Sequence, residues 1–346
     1  MGGIPQEAET MHYPTRRTLL AGAAAAALLP GPHVRAQGGP LRLKCGVVTP
    51  DTHPATIRLR EAADKVAKET SGAVEVAIFP NGQLGSDADM LSQLRSGALE
   101  MFAQSSSNLA TLVPRASLIN VAFAWSGYDK VWPALDGELG AYIRGEIAKA
   151  GLVPFERMWD NGFRQTTTSI RPIASPADFD GLKLRVPNSA LFTSAFRALG
   201  AAPVALNFSE AYSALQTKVV DGQENPLAII ASFKLAEVQK YLSFTNHIWD
   251  GFWLMSGNRT WSRLPVDVKA VLARHFDDAA LDQRRDIASQ GETLRTALGQ
   301  AGFTINDAPA APFQDRLRAA GFYAEWKGKY GTEAWGHLEK FAGAVS

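Results

Sequence analysis

Apolar and polar positions between residues 41 and 103 alternate between two periods. Residues 41–48, 74–79 and 99–103 are apolar-rich or alternating segments bounded by turn residues, which predicts three strands. A helix is predicted between the first two strands, because apolar residues there recur on one helical face: Leu59, Ala62, Ala63, Val66 and Ala67. Residues 87–96 form a second helix by the same criterion. This alternation predicts a mostly parallel sheet covered by helices.

The same alternation starts again after Gly162. Ser175 and Pro176 begin a short helix, and we predict the following elements in order: strand 184–186, helix 189–199, strand 202–205 and helix 209–217. Residues 265–298 contain no proline beyond the first position and a single glycine, which predicts one long helix. The expected fold is α/β, with two lobes braced by that helix.

Size and charge agree with two lobes and restrict the partners. The chain has 346 residues, 46% hydrophobic and 20% charged, enough for a large core. Its 35 basic and 34 acidic side chains leave a formal charge of +1, which argues against nucleic-acid binding. We expect an export segment at 1–36, the first lobe at 37–160, the second lobe at 161–250, and a return to the first lobe at 251–346.

The N-terminal segment has the features of an export signal. Arg16 and Arg17 precede an apolar run at residues 19–29, which is shorter than the roughly 20 residues that span a bilayer. Ala36 suits cleavage, so the mature chain is expected to begin at Gln37 and to be periplasmic rather than membrane-spanning. The arginine pair resembles a twin-arginine signal; an ordinary secretory signal and a cytosolic amphipathic tail are the alternatives.

The sequence contains no local motif for catalysis. Beyond the leader, its histidines are scattered without the spacing of metal ligands: His53, His247, His275 and His337. There is no glycine-rich phosphate loop and no nucleophile elbow, and the single Cys45 lies in a predicted strand. We therefore predict a protein that is not an enzyme and that has no metal and no cofactor.

Arg185 is the clearest candidate for ligand binding. Its neighbours Leu184 and Val186 point to the opposite face of a strand that Pro187 ends. Open α/β sheets bind ligands at strand ends, and a guanidinium matches a carboxylate with two parallel hydrogen bonds. A surface arginine paired with a nearby acid is the alternative for Arg185, and also for Arg164.

The residues 207–226 carry further candidates. Asn225 stands before Pro226, so it is either a helix N-cap or a ligand contact. Phe208 and Trp249 are able to line a pocket, although large aromatic residues more often fill the core.

Several ordered segments resemble a known receptor family. The matching segments include residues 161–167 (NGFRQTT), 181–188 (GLKLRVPN), 208–210 (FSE), 214–217 (ALQT), 220–226 (VDGQENP) and 237–241 (EVQKY). They resemble the solute receptors of tripartite ATP-independent periplasmic (TRAP) transporters, the DctP-type family, and are especially similar to its sialic-acid receptors. The resemblance covers nearly all of the mature chain.

The resemblance implies a function and a set of site residues. It implies two α/β lobes that close around an acid, with Arg185 as the carboxylate clamp and Asn225 and Arg164 as further polar anchors. Asn188 and Phe208 fall at pocket positions of the family. Gln104 stands where the sialic-acid receptors carry a glutamate, which argues against sialic acid as the ligand.

We expect an extracytoplasmic receptor that captures a small carboxylate and hands it to TRAP permease subunits. Trp249 near the expected cleft favours an acid with an apolar or ring-shaped body, and His53, in the turn after the first strand, completes the set of expected contacts. A sensor subunit for a signalling membrane protein and a periplasmic enzyme acting on a hydroxy or keto acid are the alternatives.

Overall fold

The structure is a computed structural model that describes Gly2 and residues 39–345. The chain divides into two compact units, Met1–Gly39 and Pro40–Ser346, and the strands and helices of the described range belong to the second unit. Apart from Gly2, the predicted export segment lies outside the described residues. Within the described range, no helix has both the length and the apolar character needed to cross a membrane.

Strands of the described range form one continuous sheet. They are β1 (Leu41–Val47), β2 (Val74–Phe79), β3 (Met101–Ser105), β4 (Leu152–Pro154), β5 (Trp159–Thr168), β6 (Lys183–Val186), β7 (Ala202–Ala205), β8 (Gly222–Pro226), β9 (Tyr241–Phe244), β10 (Trp249–Gly257) and β11 (Thr304–Asp307). The main path runs in the order β2-β1-β3-β10-β5-β8-β6-β7. Strand β1 pairs in parallel with β2 and β3, and β6 pairs in parallel with β7 and β8, so each end of the sheet has its own parallel group.

Strand β5 connects these two halves of the sheet. Its first part, from Trp159 to Phe163, pairs antiparallel with β10. Its second part, from Arg164 to Thr168, pairs with β8 and β9. The pairing with β10 shifts register between Asp250 and Gly251, which bends the sheet where its halves meet.

Helices cover both faces of the two half-sheets. They are α1 (Pro54–Glu69), α2 (Asp87–Ser96), α3 (Ser106–Leu109), α4 (Tyr128–Leu135), α5 (Glu138–Lys149), α6 (Ala190–Ala198), α7 (Phe208–Gln216), α8 (Leu227–Ser232), α9 (Asn258–Arg263), α10 (Val266–Gln300), α11 (Ala310–Ala319), α12 (Phe322–Tyr330) and α13 (Thr332–Ala342). Short 3₁₀ helices lie at Pro114–Asn120, Pro176–Phe179 and Leu235–Glu237. Separate apolar clusters form under these helices, one between β1, α1 and α10 and another around α7, β9 and the end of α10.

The long helix α10 contacts both halves of the sheet. With 35 residues it is about 52 Å long at 1.5 Å per residue. Asp286 accepts two hydrogen bonds from Arg58 of α1, at 2.7 and 2.9 Å. Closer to the C-terminal end of the helix, Arg295 forms a bidentate pair with Asp307 of β11. The predicted α/β fold with two lobes and a bracing helix is therefore confirmed.

Most predicted elements occur within a few residues of their expected bounds. Strand β3 begins at Met101 rather than at the predicted residue 99. The backbone N–H groups of Gly97, Ala98 and Leu99 all donate to the carbonyl of Gln93, which wraps this segment around the end of α2. Apolar character at Leu99 thus reflects burial under the helix end and not strand pairing.

Gln283 fixes the middle of α10 to β5. Its side chain accepts from the backbone N–H of Asp160 at 2.8 Å and donates to the carbonyl of the same residue at 2.7 Å, and both partners are buried. Gln283→Ala leaves two buried backbone groups without partners, so we expect it to lower the unfolding free energy by about 2 kcal/mol. Thermal unfolding should then occur several degrees lower, at roughly 2–4 °C per kcal/mol.

The matched control is Gln300→Ala, at the exposed end of the same helix. It should change the midpoint little. Equal midpoints for the two variants would show that Gln283 does not hold the helix on β5.

Candidate functional site

A cavity lies where the two half-sheets meet, and we call it the charged cavity. It contains about 350 Å³ of space between atoms, part of it open to solvent. One side is formed by Val48, Asp87, Ser105, Ser107, Asn108 and Phe252, the other by Arg185, Pro187, Phe208, Asn225 and Ile229, and β5 supplies Asn161 and Arg164.

Strand ends explain why these side chains converge. Val48 directly follows β1, Ser105 is the last residue of β3, and Pro187 directly follows β6. All three are carboxyl ends of parallel strands, the position at which open α/β sheets bind ligands. The sequence prediction that Arg185 lies near such an end agrees with its place one residue before the end of β6.

Arg164 forms a fully internal network of charges. Its Nε donates to Glu224 Oε2 at 2.5 Å, its Nη2 to Glu224 Oε1 at 2.9 Å, and its Nη1 to Asp250 Oδ2 at 3.2 Å. The arginine and both carboxylates are buried. Because buried charges are tolerated only when paired, these two acids more than compensate the charge of Arg164 within the protein itself.

Further donors fix the two acids of this network. Burial lowers the pKa of His247, so its ring is neutral near pH 7 and donates from Nε2 to Glu224 at 3.0 Å. Thr245 then donates its hydroxyl to Nδ1 of the ring at 2.7 Å. Donors to Asp250 come from the Asn120 and Asn161 amides, the Ser107 hydroxyl and the backbone N–H of Gly251.

Arg185 is buried in a different environment. Its side chain is 1% exposed, and both of its hydrogen bonds, at 3.1 and 2.7 Å, end on the carbonyl of Leu206. The guanidinium carbon lies 5.5 Å from the ring centroid of Phe208. Among the residues that the structure describes, no carboxylate forms a salt bridge with Arg185.

This environment leaves Arg185 a cation with free donors. Burial lowers the pKa of Arg185 to about 10, while the charge of Glu224 acts in the opposite direction, so the group stays protonated at neutral pH. A guanidinium has five N–H donors, and three remain beyond the two that bond Leu206. A buried cation of this kind is stabilised by an anion that enters the cavity.

The structure brings four of the eight predicted site residues to the cavity wall: Arg185, Asn225, Arg164 and Phe208. Asn225 lies inside β8 and not at a helix start, since α8 begins two residues later with Pro226 as its N-cap. The N-cap alternative for Asn225 is therefore wrong. Its amide donates to Gln223 at 2.5 Å and its oxygen accepts from Arg164 at 3.1 Å.

The other four do not line the cavity, although two of them support residues that do. Asn188 donates to Asn207 at 2.9 Å, which is the N-cap of the helix that presents Phe208. His53 is the N-cap of α1, accepts from the backbone N–H of Ala55, and meets Phe252 edge-on at 6.3 Å.

Gln104 and Trp249 occupy the core. Gln104 is 1% exposed on β3, opposite Trp253 of β10. Trp249 packs edge-on against Trp132 and donates its indole N–H to Asp160 at 3.1 Å. Interior packing was the alternative that the sequence left open for Trp249.

Sequence reasoning missed Asp87 and Asn108 of the wall and the buried Asp250 behind it. Asp87 is the first residue of α2, where Ser86 and Asp89 form a capping box. That box marks the helix start, but nothing in the local pattern indicates that the side chain between its members points into a cavity. Asn108 and Asp250 likewise reach the site only through folding.

Three comparisons with known proteins agree with this architecture. A family model described as bacterial extracellular solute-binding protein, family 7 (DctP), matches residues 45–324. The C4-dicarboxylate-binding periplasmic protein DctP of Rhodobacter capsulatus is 34% identical over 295 residues, which cover 84% of this chain and 87% of that protein. The uncharacterized protein y4mM of Sinorhizobium fredii is 38% identical over 291 residues; these cover 83% of this chain and 53% of y4mM, so the chain spans about half of that relative.

Solved structures show the same fold. A TRAP periplasmic solute binding protein from Sulfurospirillum deleyianum with bound succinate is 29% identical, with a TM-score of 0.83 and coverage of 89% of this chain and 100% of that one. A sugar acid binding protein from Advenella mimigardefordensis in complex with galactonate is 28% identical, with a TM-score of 0.84 and coverage of 89% and 99%.

Asp160, beside the cavity residue Asn161, predicts a pH dependence of stability. Burial raises the pKa of Asp160 to about 7, so folding favours its protonated form. The contribution of Asp160 to the unfolding free energy is fully present below its unfolded pKa of about 4. It is lost as the pH rises to about 7. Asp160→Asn keeps an oxygen acceptor for Trp249 and removes the charge, so we expect it to raise the unfolding free energy at pH 8 by about 2–4 kcal/mol.

Chemical denaturation of both proteins from pH 4 to pH 8 measures this difference. Asp277→Asn is the matched control. Partial burial raises the pKa of Asp277 to about 6, so its contribution to stability is lost at a lower pH than that of Asp160. If the unfolding free energies of wild type and Asp160→Asn changed in parallel with pH, Asp160 would not be the cause of the pH dependence.

Proposed function

The chain belongs to family 7 of the bacterial extracellular solute-binding proteins, the DctP-type receptors of TRAP transporters, and on this basis we propose that it captures a small organic acid and delivers it to a membrane permease. The family consists of binding proteins and not of enzymes. Relatives and neighbours are named for C4-dicarboxylates or carry succinate or galactonate, so the carboxylate is the group that their ligands share.

The observation that carries the proposal is the unpaired charge of Arg185. Its neighbour Arg164 forms salt bridges with Glu224 and Asp250, whereas the hydrogen bonds of Arg185 to described residues all end on the Leu206 carbonyl. A ligand carboxylate supplies the missing anion and accepts two parallel N–H bonds from the guanidinium. Asn225 offers its amide beside this pair, and the Phe208 ring covers the apolar part of the acid.

Capture proceeds by closure of two lobes, residues 37–160 with 251–346 and residues 161–250. The wall of the charged cavity draws residues from both, so an acid that bridges them favours the closed form. Closure excludes water, which strengthens each charged hydrogen bond to the acid. The mature protein, from Gln37 onward, acts in the periplasm, where the closed receptor meets the permease.

Arg185→Ala tests the clamp directly. Removing one partner of a desolvated charge pair costs about 2–5 kcal/mol, so the dissociation constant should rise roughly 30-fold to 3,000-fold. Arg185→Lys should also bind more weakly, because an ammonium lacks the planar fork. Isothermal titration calorimetry with succinate, galactonate and glucuronate measures both variants, after unfolding and refolding to remove acid retained from expression.

Arg197→Ala is the matched control, since it removes one exposed guanidinium from α6 in the same half of the molecule. It should bind as the wild type does. Wild-type affinity in Arg185→Ala would show that the clamp lies elsewhere, and mass spectrometry of the first denatured eluate identifies any retained acid.

Delivery to the permease predicts a cellular phenotype. A strain that lacks this chain should lose uptake of the radiolabelled acid identified by calorimetry, and the wild-type gene should restore it. Arg185→Ala should not restore uptake at ligand concentrations near the wild-type dissociation constant. Unchanged uptake in the deletion strain would contradict the transport role while leaving the binding result intact.

A further inference from the structure

Three buried acceptor atoms of the charged cavity have no hydrogen-bond donor within the described residues. They are Asp87 Oδ2, Asn108 Oδ1 and Asn161 Oδ1, and all three side chains line the cavity. These residues are 4%, 7% and 3% exposed. A buried acceptor without a donor costs about 1–3 kcal/mol, so the cavity is suited to a ligand that brings donors.

Neighbouring carboxylates fix which way the two amides face. The Asn161 amide nitrogen lies 3.3 Å from Asp250 Oδ2, and hydrogen bonding from the Asn108 side chain acts to lower the pKa of the Asp87 carboxyl. A carboxylate accepts hydrogen bonds, so the NH₂ group of each amide must face it. Both amide oxygens are thereby left for an outside donor such as a ligand hydroxyl.

The charge balance of the wall limits the ligand to one carboxylate. Arg164 and Arg185 are the only cations among the lining residues, all of which lie in the described range. Arg164 is already paired with Glu224 and Asp250. Arg185 matches a single carboxylate, so a second one would have no cation and would meet Asp87 in a desolvated space.

Asp87 is not needed to cap its own helix. The cap of α2 is made by Ser86 and Asp89, whose Oδ2 accepts from the backbone N–H and the hydroxyl of Ser86 at 2.9 and 2.7 Å. Burial raises the pKa of Asp87, whereas the charge of Arg185 and a hydrogen bond from the Phe208 backbone N–H act against that rise. A position in the first turn of α2 also favours its anionic form.

We propose that the charged cavity selects hydroxylated monocarboxylates, of the hydroxy-acid and sugar-acid class, over dicarboxylates, and that Asp87 imposes this selection. The inference rests on the proposed function, because it assumes that Arg185 holds the first carboxylate. Asp87, Asn108 and Asn161 then accept hydrogen bonds from hydroxyl groups along the rest of the acid.

Two pairs of acids isolate the effect of the second charge. Galactonate and galactarate differ only at the terminal carbon, which is a hydroxymethyl group in one and a carboxylate in the other. Erythronate and meso-tartrate form the same pair at four carbons. Calorimetry on the refolded wild type should give, for the pair that fits the cavity, a dissociation constant at least tenfold lower for the monocarboxylate.

Asp87→Asn removes the charge and keeps an oxygen acceptor. The ratio of the diacid's dissociation constant to the monocarboxylate's should therefore fall at least tenfold, mainly because the diacid binds more tightly. Asp89→Asn is the matched control on the same helix. It breaks the capping box and should lower the unfolding midpoint, with the ratio unchanged. Thermal unfolding of each variant shows that it is folded at the titration temperature.

The dissociation constants test the selection and the role of Asp87 separately. A wild type that binds the diacid of either pair as tightly as the monocarboxylate overturns the selection, without any need for a variant. An unchanged ratio in Asp87→Asn removes Asp87 as its cause. Arg185→Ala should weaken binding of all four acids; if the wild type binds no acid at all, the proposed function fails and this inference falls with it.

Discussion

The pairing of Arg164 with Glu224 and Asp250 is the interaction on which the site depends. These residues lie on β5, β8 and β10, so one buried ion network joins three strands at the floor of the charged cavity. Two carboxylates share one guanidinium there, and amide, hydroxyl and imidazole donors satisfy the remainder. Because that network is complete within the protein, Arg185 is the only cation among the described residues lining the charged cavity that has no carboxylate bonded to it.

Strand connectivity places this network where the two half-sheets meet. Strand β5 pairs with β10 along its first part and with β8 along its second, so residues of both half-sheets meet on one strand. Gly162 has a φ of +109° at this crossing, a conformation that other residues adopt only with strain. Helix α10 supports the crossing from outside through Gln283. The residues of the Arg164 network and the residues that join the two half-sheets therefore lie on the same strand.

The arrangement separates a common recognition element from a variable one. A carboxylate is shared by succinate and galactonate, the acids bound in two neighbouring structures, and in the proposed function the single buried guanidinium of Arg185 recognises it. The rest of each acid differs in charge and hydroxylation, which other wall residues must recognise. In this chain that part of the wall carries an acid, three amides and two hydroxyls beside apolar side chains, which favours hydroxyl donors over further anions.

The sequence by itself determined the alternating α/β pattern, the long helix and the position of Arg185 one residue before a strand end, since periodicity, turn residues and proline act locally. Only the tertiary structure decided which polar side chains share the cavity. Asp87 and Arg185 are about a hundred positions apart, and Asn225 became a strand residue because β8 continues to its proline. Burial and charge pairing depend on contacts between distant segments, so local patterns could identify a candidate cation but could not show that Arg164 is neutralised and Arg185 is not.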